Sequence, residues 1–303
     1  MPRRLPLPPT LQGGAFTTHF AQENGVSERR LRGGDLARPF HGIRSTVPVT
    51  TILHLAHSFQ LRMPASAFFC GITAALIIGL PLPLRLQKLP GLHVGVPAPQ
   101  RAPRSAGIIG HKLQVNDDDV IRWGRLRITA VARTWCDLAS VLDVEDLVAA
   151  GDYNIHFRHP LASQHELEEA IALYPGRRAL PRLVEALALL NDRAESAPES
   201  IIRVTIVRAG INGLVANHPI YNVRGTFIAR ADLCFPAHRV IFEYQGDYHR
   251  TEAGRWRKDR TRIARLAAAG WHVIEIAADE LLDRATLLEL IRDTLALYPP
   301  VFA

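Results

Sequence analysis

An alternating segment at residues 227–245 constrains the fold of this chain more than any other feature. Phe227 to Phe235 and Arg239 to Tyr244 are rich in β-branched and aromatic residues, and the Pro236-Ala237-His238 segment between them is typical of a turn. The pattern predicts a β-hairpin. If the turn is centred between Ala237 and His238, Asp232 lies directly opposite Glu243, with Cβ atoms roughly 4.5–5.5 Å apart.

The two faces of this hairpin differ in character. Gln245 shares the face of Asp232 and Glu243, and Arg230 lies opposite Gln245 in the same register. Carboxylates held this close repel each other unless a cation is shared, and carboxylate and amide oxygens suit Mg²⁺ or Mn²⁺. We therefore predict a metal site here; the alternative is a surface hairpin whose acidic residues are balanced by Arg230 and Arg239. The other face is predicted to be apolar and consists of Ala231, Leu233, Phe235, Val240, Phe242 and Tyr244.

The composition favours a polyanionic partner. The chain has 303 residues, enough for two or three domains, and a net charge of +7. Such a charge favours DNA over acidic small molecules. The cysteines Cys70, Cys136 and Cys234 are few, odd in number and far apart, so they predict neither a disulfide framework nor a zinc site. We expect a cytoplasmic protein in a reducing compartment.

One stretch, Ala65 to Leu84, has about the ~20 residues needed to cross a membrane. Glycines and prolines interrupt it, so a buried helix at roughly Gly71 to Ile78 is the better interpretation. The N-terminal residues lack the apolar segment of a secretory signal. We expect no membrane association.

Three domains are predicted, which together define an α/β multidomain fold. Residues 1–48 read as a helix at Phe16 to Glu23, a second helix at Glu28 to Arg32 that Ser27 caps, and a strand at Phe40 to Val47. This order is typical of a winged helix-turn-helix head; the alternative is a small helical cap on the next domain. Residues 49–190 predict a mixed α/β domain. Residues 196–303 predict the order α-β-β-β-α-β-α.

Two further residues are candidates for the site. Glu199 begins a helix on the same face as Ile202 and Ile206, so it should face the sheet. It either joins the metal site or completes a capping box with Ser196, and the two roles are compatible. His249 follows the hairpin and is either a proton donor or a structural residue at a helix start.

The helix expected at about Glu252 to Ala269 is strongly basic. Next to a carboxylate cluster, its side chains are expected to contact phosphates, whereas the alternative is a solvated helix face. The basic residues on and before this helix are Arg250, Arg255, Arg257, Lys258, Arg260, Arg262 and Arg265.

Several of these motifs occur in the order found in one known superfamily. They are Pro198-Glu199-Ser200, Arg230-Ala231-Asp232, the segment from Glu243 through Gln245 and Gly246 to His249, and Ala268-Ala269-Gly270-Trp271. Residues 196–283 thus resemble the PD-(D/E)xK nucleases, in particular the very-short-patch-repair-like endonucleases of unknown function in actinobacteria. The resemblance implies a Mg²⁺-dependent DNA endonuclease with Glu199, Asp232 and Glu243 as metal ligands.

This sequence departs from the superfamily at one catalytic position. The lysine expected two residues after the last carboxylate is Gln245, which cannot act as a base. Gln245 would be an auxiliary ligand or position the water. Either the metal alone suffices, or Lys258 or His249 substitutes for the lysine, or catalysis is impaired. The alternative function is a DNA-binding regulator whose nuclease domain is inactive.

The upstream region carries a second resemblance. Its motifs are Ala15 to Thr18, Thr73 to Ala75, His93 to Pro97 and Arg133 to Ala139. They look like those of abortive-infection type IV antitoxins. The resemblance implies a DNA-binding head and a possible partner protein in a toxin–antitoxin pair.

Overall fold

The computed structural model describes residues 5–88, 91–245 and 253–301, with only the backbone of residues 253–259. The chain forms two compact units. The first comprises Met1–Val141 and Gln164–Leu180, and the second comprises Leu142–Ser163 and Pro181–Ala303. Both contain helices packed with sheets, which confirms the predicted α/β multidomain fold class.

The first part of the chain alternates short strands and helices. Its elements are β1 (Ala15–Thr17), α1 (Thr18–Glu23), α2 (Glu28–Leu31), β2 (Ile43–Ser45), α3 (Ile52–Gln60), β3 (Phe68–Phe69), α4 (Gly71–Ile78), α5 (Leu84–Gln87), β4 (Leu92–Pro97), β5 (Ile108–Leu113), β6 (Val120–Trp123), β7 (Leu126–Thr129) and α6 (Val131–Leu138).

The rest of the chain holds longer helices around a second sheet. Its elements are α7 (Val144–Ile155), α8 (Gln164–Leu173), α9 (Leu180–Ala188), α10 (Ala197–Arg208), β8 (Val215–Tyr221), β9 (Phe227–Phe235), β10 (Val240–Gln245), α11 (Ala253–Ala268), β11 (His272–Ala277), α12 (Ala278–Leu282) and α13 (Arg284–Leu297). The order from α10 onward is the predicted one, except that the closing helix is divided into α12 and α13.

The first unit is built on a five-stranded sheet of order β5-β4-β3-β7-β6. Helix α4 spans Gly71–Ile78, as predicted, and most of its residues are buried. It ends because Gly79 adopts a left-handed conformation, φ +91°, which favours glycine. None of the helices in the described part of the chain is long and apolar enough to cross a membrane.

The N-terminal head is smaller than the sequence predicts. The first helix begins at Thr18 rather than Phe16, because Phe16 lies in β1 and the Thr17 hydroxyl caps the helix. Helix α2 is capped by Ser27, as predicted, but it is only four residues long. A turn in which the Ile43 N–H donates to the Phe40 carbonyl shortens the expected strand, and β2 pairs with β1.

The second unit surrounds a four-stranded sheet of order β11-β10-β9-β8, in which β10 and β11 are parallel and the other pairs are antiparallel. Helix α10 and helices α12 and α13 cover one face. Their cluster of buried residues includes Ile202, Ile206, Leu233, Phe235, Val240, Phe242, Leu287 and Ile291.

Helix α11 covers the opposite face, where Leu266 packs with Cys234 and Ile241. Ala231 also packs in this cluster and not with Leu233, which corrects its predicted place on the apolar face. The ladder is irregular here: Asn217 of β8 has a φ of +56°, and it stands where the register would place a partner for Asp232. This irregularity interrupts the strict alternation of sides along β9.

Candidate functional site

The hairpin forms in the register that the sequence predicts for its central pairs. Val240 pairs with Phe235, Ile241 with Cys234, and Phe242 with Leu233. A single 3₁₀ turn, Pro236–His238, closes it, and Arg239 completes the turn in a left-handed conformation. The ladder ends at the Phe242–Leu233 pair, so Asp232 and Glu243 are the next residues of the two strands beyond it.

Asp232 and Glu199 lie in the electrostatic field of neighbouring acids. Burial, and then repulsion from Glu243 and Glu195, raises the pKa of Asp232 above its ordinary value. Burial raises the pKa of Glu199 to about 7, and the charges of Asp232 and Glu195 add to the effect. Only 5% of Glu199 is exposed. The charge of Asp232 therefore acts on Glu199, and that of Glu243 acts on Asp232; we call these residues, with Glu195, the acidic region.

Glu199 also helps to cap its own helix. The Ser196 hydroxyl accepts a hydrogen bond from the Glu199 N–H at 3.3 Å, and Glu199 Oε2 accepts one from the Glu195 N–H at 2.9 Å. The capping interpretation thus holds, although the N–H bound is that of Glu195 rather than Ser196. One oxygen of the Glu199 carboxylate is engaged in this way.

Helix α10 is fixed to α7 by a buried polar network around Asp152. Asp152 Oδ2 accepts hydrogen bonds from the Ser200 hydroxyl at 2.6 Å and from Arg203 Nη2 at 2.9 Å. Its Oδ1 accepts one from the Asn191 N–H. Because Ser200 follows Glu199 directly, this network fixes the position of the helix that carries Glu199.

Glu243 is held by an arginine of α11. Arg262 Nη1 lies 2.5 Å from Glu243 Oε1, and Nη2 lies 2.7 Å from Oε2. Such a two-pronged pair is among the strongest ion pairs in proteins. Arg262 was expected to contact phosphate; in this structure it neutralises a predicted metal ligand.

Gln245 has a partner that the sequence did not reveal. Its Nε2 donates a hydrogen bond of 2.8 Å to Oε1 of Glu275, a residue of β11. In the parallel register, Glu275 stands beside Glu243, so it joins the same polar face. The sequence offered a signal, because Glu275 is the one acidic residue in the strand His272–Ala277. The residues of that strand do not indicate, however, which other strand it pairs with.

The other predicted residues are placed as follows. Arg260 and Arg265 are exposed on α11. Helix α11 also carries Arg255, Arg257 and Lys258, whose side chains are not described. His249, Gly246 and Arg250 lie outside the described residues.

The carboxylates fit a divalent cation chemically. Asp232 and Glu199 supply hard oxygen donors whose charges repel one another, which is the condition a bound cation relieves. In the described parts of the chain, no three His, Cys, Asp or Glu side chains are close enough together to hold a metal ion. Glu243, the nearest further donor, is engaged by Arg262.

The motifs of the first unit also come together. The His93 N–H donates to the Thr73 hydroxyl, and His93 Nδ1 lies 3.0 Å from Nε2 of His111. Burial, followed by the neighbouring His111, lowers the pKa of His93 to about 4. The buried Arg133 forms ion pairs with Asp119 and Asp137. The histidine contacts connect α4, β4 and β5.

Comparison with known proteins gives relatives without a described activity. The chain is 24% identical over 251 residues to an uncharacterized protein of Mycobacterium tuberculosis strain CDC 1551, and equally so to one of strain H37Rv. The match covers 83% of this chain and 89% of each relative. No protein-family model matches the chain.

Proposed function

We propose that the second unit is a metal-dependent DNA endonuclease that hydrolyses phosphodiester bonds. One observation carries the proposal: the buried carboxyls of Glu199 and Asp232 lie close enough for the charge of Asp232 to act on Glu199, and the charge of Glu243 acts on Asp232 in turn. A structural role does not require mutually repelling acids, whereas the binding of a divalent cation does.

Each residue has a role in this proposal. Asp232, Glu199 and Glu243 would hold Mg²⁺ or Mn²⁺, which when bound supplies an activated water and charge compensation for the phosphodiester. Gln245 is positioned by Glu275 and would orient that water. Arg260 and Arg265 present exposed positive charge to DNA phosphates. His249 remains the proposed proton donor.

A plasmid-nicking assay tests the proposal. The wild-type protein should nick supercoiled DNA with Mg²⁺ or Mn²⁺ and not with EDTA. Asp232→Asn should reduce nicking at least 100-fold, because it removes one of the charges that attract the metal. Asp293→Asn, the same change at an exposed position on α13, is the matched control. Equal nicking by the Asp232 variant and the wild type would show that this site does not cut DNA.

A second function has its own support. We infer as the alternative a DNA-binding regulator or antitoxin-like protein whose nuclease domain no longer cuts. The observation in its favour is that Arg262 and Glu275 engage Glu243 and Gln245. This reading predicts salt-sensitive DNA binding that survives the double change Asp232→Asn and Glu243→Gln, without nicking by the wild-type protein.

Two of the arginines expected to bind DNA through the head form ion pairs within it. Arg30 pairs with Asp35, and Arg32 pairs with Glu28. Arg29 is exposed. An electrophoretic shift assay of the full-length Arg29→Gln variant therefore tests the head: a regulator that binds through it should lose affinity, and unchanged binding would place the contact elsewhere.

A further inference from the structure

Arg262 of α11 forms an ion pair with Glu243 and so brings positive charge next to the acidic residues. Both carboxylate oxygens of Glu243 are bound by its guanidinium, at 2.5 and 2.7 Å. The exposed fractions are 12% for the Glu243 side chain and 30% for Arg262. The pair is therefore shielded from most of the solvent yet open enough on the arginine side for exchange of partners.

The direction of Arg262 separates it from its neighbours on α11. Arg260 and Arg265 are exposed, whereas Arg262 is half-buried and turned towards the sheet. Its charge also acts on Asp232, since Arg262 lowers the pKa that Glu243 raises. The positive charge of Arg262 therefore acts on the acidic residues and not on the exposed face of the helix.

We propose, on the basis of the function proposed above, that Arg262 gates the metal site: its guanidinium and a divalent cation are alternative partners of Glu243. Two cations close to the same carboxylate repel each other, so a divalent cation that engages Glu243 displaces Arg262. Guanidinium groups bind phosphate with the same two-pronged geometry as carboxylate. A DNA phosphate that takes Arg262 therefore releases Glu243 for the metal.

The gate makes metal binding and DNA binding cooperative. By linkage, if DNA strengthens metal binding by some factor, the metal strengthens DNA binding by the same factor. Without DNA, Arg262 suppresses metal affinity. Removing Arg262 should raise the metal affinity of the free protein and abolish the cooperativity.

The effect of Arg262 on metal affinity is measured by titration with Mn²⁺. Electron paramagnetic resonance follows the free Mn²⁺, so no DNA cleavage is needed. We expect full-length Arg262→Gln to bind Mn²⁺ at least tenfold more tightly than the wild type. Arg292→Gln, which removes the same charge at an exposed position of α13, should bind as the wild type does. Asp232→Asn should bind weakly with or without Arg262.

Fluorescence anisotropy of a labelled DNA duplex, with and without Ca²⁺ at constant ionic strength, measures the second effect. The wild type should bind the duplex more tightly with Ca²⁺, and Arg262→Gln should lose this enhancement. If that variant does not fold, Arg262→Lys keeps the charge but not the two-pronged geometry, and its Mn²⁺ affinity should be intermediate. The comparison of wild-type DNA affinity with and without Ca²⁺ does not depend on whether any variant folds.

The outcomes separate the gate from the proposed function. If the wild type binds Mn²⁺ through Asp232 but Arg262→Gln binds no more tightly than Arg292→Gln, the gate is wrong and the endonuclease proposal stands. The gate is equally wrong if Ca²⁺ leaves wild-type DNA affinity unchanged. If none of these proteins binds Mn²⁺, both proposals fail together.

Discussion

Replacing Glu199 by glutamine should stabilise the metal-free protein above neutral pH. The Glu199 carboxyl is almost fully buried, and its pKa is about 7 against an ordinary value of 4.5. A difference of one between folded and unfolded pKa values corresponds to about 1.4 kcal/mol, so the charged form of Glu199 costs about 3 kcal/mol of folding free energy. Glutamine carries no charge, and its amide oxygen can still accept from the Glu195 N–H.

The sign of the pH dependence follows from the raised pKa. Between pH 4.5 and about 7 the folded protein binds more protons at Glu199 than the unfolded chain does. The contribution of Glu199 to stability therefore falls as pH rises through this window and is constant above it. The free energy of unfolding of Glu199→Gln should equal that of the wild type at about pH 4 and exceed it by about 3 kcal/mol at about pH 8.

Urea denaturation in EDTA, followed by circular dichroism across this pH range, measures the effect. Glu289→Gln makes the same chemical change at an exposed position of α13. Its free energy of unfolding should depend on pH as that of the wild type does. Added Mg²⁺ should stabilise the wild type at high pH and leave Glu199→Gln nearly unaffected, because the variant lacks one of the proposed ligands. Parallel curves for Glu199→Gln and the wild type at every pH would refute the reasoning.

Two further changes test the parts of the fold that support the site and the head. Asp152→Ala should destabilise the second unit by about 3–5 kcal/mol, because it leaves the Arg203 guanidinium buried without its ion pair; a lower urea midpoint would show it, and an unchanged midpoint would contradict it. Gly13→Ala should lower the free energy of unfolding by about 1 kcal/mol, because Gly13 has a φ of +84°. Gly14→Ala next to it should leave stability nearly unchanged, and thermal melts of the two variants compare them directly.

The hairpin and the element order of the second unit were predictable because their signals are local. Turn residues at Pro236–His238 and strand residues on either side set the register, in which Val240 pairs with Phe235 and Phe242 pairs with Leu233. Helix α4 was predictable to its ends for the same reason, with Gly79 as the stop. In each case, one short segment holds all the information.

The contacts that complete the site depend on distant segments. Glu275 reaches Gln245 only because β11 returns parallel to β10 after the whole of α11. Asp152 reaches α10 from a helix in a stretch predicted to belong to another domain. The direction of Arg262 depends on how α11 packs on the sheet, and a helix in which so many positions are basic gives no periodic signal for its buried face.

The pattern of ion pairs shows where the acidic region most needs a cation. Glu195 pairs with Arg230, and Glu243 pairs with Arg262. Asp232 and Glu199 have no arginine or lysine ion pair among the described residues, and theirs are the two carboxyls of this region whose pKa is raised. A divalent cation should therefore bind first to Asp232 and Glu199, and Glu243 should join only after Arg262 leaves. On this argument, Glu199→Gln weakens Mn²⁺ binding even when Arg262 has been removed, whereas Glu243→Gln weakens it mainly in that background.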